Sequence, residues 1–226
     1  MSITMSMAES RPAPKELPRR RGPQVFGIPF NVFRAGVFLL GLFPLARWLV
    51  LGFTGGLTAD PISFLIKSAG TWTLVVLLVT LAITPLRVIT GQAGLVKVRR
   101  MAGLFTLFYA SLHFMSYVWW DQWFSIPAIA DDILKRPFIL VGFLAFLALI
   151  PLGVTSTKGW VRRLGGMNWQ RLHRLIYPIG ALALLHLWWI RSGKNDFLDA
   201  GVYLGVLIAL LGWRVWHAWR RRASIS

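Results

Sequence analysis

Six stretches of this chain, at about 35–53, 72–90, 101–120, 137–154, 173–190 and 200–219, are almost unbrokenly apolar. At about 1.5 Å per helical residue each is long enough to cross about 30 Å of hydrocarbon. The connections between them are short, which makes consecutive helices antiparallel neighbours. The sequence therefore predicts an all-α integral membrane bundle of six helices, and the composition agrees: 56% of residues are hydrophobic, 15% are charged, and mean hydropathy is +0.60.

Charge sets the expected orientation, because Lys and Arg concentrate in short cytoplasmic loops. Arg11, Lys15, Arg19, Arg20 and Arg21 precede the first run; Arg87, Lys97, Arg99 and Arg100 lie in the second connection; Lys158, Arg162, Arg163 and Arg171 lie in the fourth; Arg220, Arg221 and Arg222 follow the last run. The odd-numbered connections carry Asp60, Asp121, Asp131, Asp132, Asp196 and Asp199 instead, with only a few basic residues such as Lys67, Lys135, Arg136, Arg191 and Lys194. Both termini are expected in the cytoplasm, in a multi-pass membrane protein. The net charge of +17 is spread over loops and tails, so it reads as a topology signal and as contact with anionic membrane lipid rather than as a nucleic-acid surface. Residues 1–30, with Pro12, Pro14, Pro18 and Pro23 among Ser and Arg, read as a disordered basic cytoplasmic tail, and residues 31–222 as one transmembrane domain.

Several chemistries are excluded by what is missing. The chain has no cysteine, which removes thiolate ligands, iron–sulfur clusters and disulfides. No GxGxxG follows a predicted strand, so a nicotinamide site is expected on a separate molecule. Glu9 and Glu16 fall in the tail and the six Asp fall in outer connections. With no carboxylate expected inside a span, a proton-coupled transporter is disfavoured.

The histidines carry the positive signal. His113 lies 12 residues into the third helix counted from Met101, and His186 lies 13 residues into the fifth counted from His173. The two helices run in the same direction, so both imidazoles are expected at similar depth in the outer half of the bilayer. There one heme iron can take an axial nitrogen from each. His173 is expected about 20 Å below His186, where it reads as an interfacial residue or a ligand, and His217 reads as interfacial.

The segments LTADP (57–61), ITPL (83–86), RRMAGL (99–104), LHFMSY (112–117), KRPFILVG (135–142), TST (155–157), LGGMNWQRLHRLIY (164–177) and LHLWW (185–189) resemble the MsrQ family. These are the heme-binding membrane subunits of the MsrPQ protein-methionine-sulfoxide reductase system, in the ferric-reductase-like transmembrane group. The resemblance implies a six-helix b-type cytochrome that passes electrons from the quinone pool or a cytoplasmic flavin donor to a periplasmic molybdopterin enzyme. It also implies heme b, one or two per chain, with His113, His173 and His186 as the heme-associated histidines, and an FMN for which no residues stand out.

Two-heme members of the wider group place histidine pairs on helices three and five, whereas Arg99 stands here 14 residues before His113. An inner heme would then have His173 on one side and Arg99, Met101 or nothing on the other; Arg99 equally suits a propionate. On an ideal helix His173 and His186 point about 140° apart, so a shared face requires a distortion, for which Pro178 is placed. Arg47, near the outer end of the first helix, must snorkel or pair, and an outer-heme propionate is one partner for it. Phe105, Phe108, Phe114 and Tyr117 read as packing. Besides electron supply to a sulfoxide reductase, the sequence leaves open a stand-alone ferric or small-acceptor reductase and, with less support, a non-redox transporter.

Overall fold

A computed structural model describes residues 23–193 and 195–223. Six of its helical segments are long and apolar enough to cross a membrane: Phe30–Phe53, Pro61–Thr90, Leu95–Asp121, Pro137–Val154, Gly166–Ser192 and Leu198–Ala223. The chain is an all-α, multi-pass membrane protein.

The tail expected over residues 1–30 lies outside the described residues as far as 22. Residues 23–29, also assigned to that tail, form a small hairpin, with β1 (Gln24–Val25) antiparallel to β2 (Ile28–Pro29). Val25 is fully buried against Ile83, Leu95, Val98 and Ala102, and this apolar plug holds the hairpin onto the end of the bundle.

Helix α1 (Phe30–Phe53) is followed by α2 (Pro61–Thr90), which starts well before the expected residue 72. Its start is specified locally: Asp60 accepts a hydrogen bond from the Ser63 N–H, and Pro61 occupies the first turn, where no amide is needed. Lys67 therefore stands on α2, not in a loop. Helix α3 (Leu95–Ser116) runs on through a π-turn at Tyr117–Asp121. A short amphipathic helix α4 (Ile126–Lys135) then leads into α5 (Pro137–Val154), and α6 (Lys158–Leu164) precedes the fifth span.

That span is broken. Helix α7 (Gly166–His173) and helix α8 (Ile176–Ser192) are separated at Arg174 and Leu175, four and three residues before Pro178, where a proline ring displaces the carbonyl of residue i−4. Helix α9 (Leu198–Ala223) completes the chain.

The most extensive packing joins α2 to α3 and α5 to α8. Leu74, Leu77, Leu81, Ala110, Leu149, Leu152, Ile179 and Leu184 form the central core between these two pairs. Helix α9 is latched to α2 through Arg214, whose Nη2 donates to the Leu81 carbonyl at 2.5 Å. Pro85, four residues on, has no amide to offer that carbonyl, so the guanidinium supplies the missing donor.

Candidate functional site: a two-histidine cavity between helix pairs

Above the central core the two helix pairs part to enclose a cavity of about 350 Å³, within the size range of small-molecule and cofactor sites. Its walls come from α2, α3, α5 and α8, and they are largely apolar: Leu74, Leu77, Phe114, Phe143, Phe146 and Leu187 are among them. Phe114 and Tyr117, read from the sequence as packing, both face it.

His113 on α3 and His186 on α8 meet across this cavity, with ring centroids 6.2 Å apart and planes at 71°. Each is fixed in the same way. Nδ1 of His113 lies 2.9 Å from the Ile66 carbonyl on α2, and Nδ1 of His186 lies 2.6 Å from the Phe138 carbonyl on α5. A carbonyl only accepts, so each Nδ1 carries the proton and donates it, which leaves the lone pair on Nε2. Neither Nε2 has a hydrogen-bond partner among the described residues.

A glycine follows each accepting carbonyl by four residues, and the imidazole lies against it. A Cβ on Gly70 would stand 3.1 Å from Cε1 of His113, and one on Gly142 would stand 2.7 Å from Nδ1 of His186. Any side chain at Gly142 would occupy the space of the ring. Sequence reasoning missed both glycines: Gly142 lies inside the apolar run 137–154, and Gly70 lies just before the run expected over 72–90.

The cavity lining also has a polar part. Lys67, Asp121, Arg136 and Arg191 stand among its lining residues. Arg191 is held by Asp196 at 2.7 Å and Asp199 at 2.8 Å. Asp132 is buried and gathers three donors: the Tyr117 hydroxyl at 2.9 Å, the Gln122 amide at 3.3 Å and Nε of Arg136 at 2.8 Å. Through this carboxylate α4 is tied to the cavity rim. Lys67 has no ion-pair partner among the described residues.

The remaining expected site residues lie elsewhere. Arg47 is not brought to the cavity: α1 contributes no wall to it, and the Arg47 guanidinium rests 5.5 Å from the Phe64 ring centroid. His173 sits below the helix break, stacked on Trp169 with centroids 3.8 Å apart and with Nδ1 3.1 Å from the Trp169 carbonyl. Its Nε2 is buried without a hydrogen-bond partner; the Leu152 carbonyl is near but outside hydrogen-bond geometry. Arg99 is close enough to His173 to act on it electrostatically. The structure thus unites His113 with His186 and leaves His173 with Arg99 at the other end.

Compared with known proteins, residues 69–184 match the family model described as the ferric reductase like transmembrane component. The chain is 54% identical over 188 residues to the protein-methionine-sulfoxide reductase heme-binding subunit MsrQ of Bordetella pertussis, covering 83% of this chain and 91% of that protein. The chain belongs to the MsrQ family. A second MsrQ, from Ralstonia nicotianae, is 51% identical over 195 residues, covering 85% of this chain and 90% of the relative. The MsrQ of Xanthomonas campestris pv. campestris is 54% identical over 170 residues, or 75% and 77% of the two chains. No solved structure matches. The ferric-reductase-like segment contains Gly70, His113, Gly142 and His173 but ends two residues before His186.

Proposed function

We propose that this MsrQ-family chain is a membrane b-type cytochrome of the bacterial inner membrane. In this reading it passes electrons from the quinone pool or a cytoplasmic flavin donor to a periplasmic molybdopterin methionine sulfoxide reductase, for repair of oxidised periplasmic proteins. The basic end of the bundle, with both termini, faces the cytoplasm.

The observation that carries the reading is the pair of facing imidazoles. Two metal–imidazole bonds of about 2.0–2.1 Å, extended by a ring radius of roughly 1 Å at each end, span about 6 Å, and the His113 and His186 centroids stand 6.2 Å apart. Both Nδ1 atoms are committed to carbonyls, which is how a protein fixes the tautomer and orientation of metal-binding imidazoles. The apolar walls suit a macrocycle, and Lys67 and Arg136 at the rim suit its propionates. The residues present fit heme b, which His113 and His186 would hold through their free ring nitrogens.

When bound, the heme supplies one-electron chemistry at iron, which bond-forming residues on this chain do not need to assist. The protein's work would be to fix the two imidazoles through their backbone carbonyl partners, keep the cavity apolar with Phe114, Phe143 and Phe146, and place Lys67 and Arg136 at its rim. Sulfoxide reduction belongs to the partner.

A second heme at the cytoplasmic end would take His173, whose buried Nε2 lacks a partner, with Arg99 as the nearby cation. FMN enters this proposal through family resemblance alone.

The test is a pyridine hemochrome assay with reduced-minus-oxidised spectra on purified protein, wild type and with His113, His186 or His173 each changed to Ala. Stoichiometric heme b lost with His113→Ala and with His186→Ala is expected, and the His173→Ala result counts the hemes. Wild-type protein that stays heme-free when heme is supplied would overturn the reading. Reoxidation of the reduced protein by the periplasmic reductase, but not by chelated iron alone, is the result expected for electron supply to that partner.

A further inference from the structure

A second cavity, of about 520 Å³, opens between α1 and α3 at the opposite, basic end of the bundle. It shares no lining residue with the histidine cavity. Arg34 on α1 and Lys97 and Arg100 on α3 stand around it with Asn31, and Ala35, Phe38, Met101 and Leu104 form the rest of its wall.

The arrangement is layered. Arg34 is the fifth residue of α1, and Lys97 and Arg100 are the third and sixth of α3. Phe38 and Leu104 follow Arg34 and Arg100 by four residues on the same helices, one turn further along each span. The span of α1 has 24 residues and that of α3 with its π-turn has 27, whereas about 20 suffice to cross the hydrocarbon. The apolar runs themselves begin at about residues 35 and 101, so Arg34, Lys97 and Arg100 precede them at headgroup level and Phe38, Met101 and Leu104 lie within them among acyl chains.

Among the described residues these cations also have no ion-pair partner. All four ion pairs among the described residues involve Asp131, Asp132, Asp196 or Asp199, and every described acidic residue lies at the far end of the bundle. Lys97 is steadied over the Phe30 ring, with its ammonium 5.0 Å from the centroid. Arg34 and Arg100 are both exposed and offer guanidinium forks suited to phosphate.

We propose that this groove is a binding site for an anionic phospholipid, with its phosphate held by Arg34 and Arg100 beside Lys97 and its acyl chain laid along Phe38, Met101 and Leu104. Charge complementarity selects the headgroup, and the apolar turn directly beneath the cations selects an amphiphile over a free phosphate. The site would fasten α1, which packs lightly on the rest of the bundle, to the helix that carries His113.

Native mass spectrometry of the delipidated full-length protein, titrated with phosphatidylglycerol or phosphatidylcholine, tests this. Wild type is expected to bind phosphatidylglycerol in preference. The double variant Arg34→Gln/Arg100→Gln should bind it about 30-fold more weakly, since each cation near a membrane surface contributes roughly fivefold, and Arg34→Lys/Arg100→Lys should recover most of the loss. As a control, Arg162→Gln/Arg163→Gln removes two exposed arginines from α6 and should change binding less than threefold. Equal loss in the groove and control variants, or unchanged binding in the groove variant, would overturn the site. So would retained phosphatidylglycerol with loss of added flavin mononucleotide, which would reassign the same phosphate-binding cations to a flavin. A melting temperature matching wild type shows that the variants are folded.

Discussion

Gly142 and His186 are in direct contact across α5 and α8, so closely that a Cβ on the glycine would stand 2.7 Å from the imidazole Nδ1. The same ring nitrogen reaches the Phe138 carbonyl one turn earlier on α5. Gly70 and Ile66 repeat the device for His113 on α2. Alanine raises helix propensity over glycine by up to about 1 kcal/mol, so the expected damage is local. Gly142→Ala should fold normally yet lose most of its heme, measured as absorbance at the Soret band per protein. Gly70→Ala, where the nearest contact is 3.1 Å, should lose less.

Lys67 and Arg136 border the cavity and are the cations placed to meet carboxylates. Lys67→Gln and Arg136→Gln should each release heme more readily, on the order of tenfold faster in transfer to an apo-globin acceptor, as outer partners of a metal group do. The reduction potential should fall as well, because a lost cation destabilises the reduced, less positive site. Arg47→Gln, remote from the cavity, should leave both readings at the wild-type value.

Arg214 donates to the carbonyl that Pro85 leaves without a helical partner. Arg214→Met should therefore destabilise the protein in detergent by about 1–3 kcal/mol, the cost of an unsatisfied buried acceptor. In a Pro85→Ala background the restored amide can bond to Leu81, and the same substitution should cost distinctly less. A double-mutant cycle on unfolding free energies reads the difference.

Asp60 caps α2 through the Ser63 amide. Hydrogen bonding to Ser63, aided by Lys67, holds its carboxyl below the usual 3.8. A carboxyl depressed in the folded state stabilises fully above its unfolded pKa and loses that contribution as pH falls through the folded value. The melting temperature of wild type should thus approach that of Asp60→Ala below pH 4 and exceed it at pH 7.

The number and order of the spans were legible in the sequence, because hydrocarbon thickness acts on each segment separately and needs no knowledge of its neighbours, whereas several of them begin earlier than hydropathy alone placed them. The exceptions have local causes. Helix α2 begins at Pro61 because a cap and a proline specify it there, though hydropathy rises only later. The break at Arg174–Leu175 falls where Pro178 predicts a distortion. Matched depth for His113 and His186 also followed from counting residues along parallel helices.

Counting could not choose among directions around a helix axis. The rotation that turns His113 and His186 toward one another, presses them on Gly70 and Gly142, and leaves Arg47 outside while Lys67 and Arg136 reach the rim, depends on how α2 packs with α3 and α5 with α8. The sequence by itself determined that apolar helices would carry two imidazoles to one level of a membrane. Only the tertiary structure decided which carbonyls take their protons and which cations share their cavity, because those contacts join residues about 50 positions apart, whose proximity is set by side-chain packing between helices rather than by the transfer energy of any one of them.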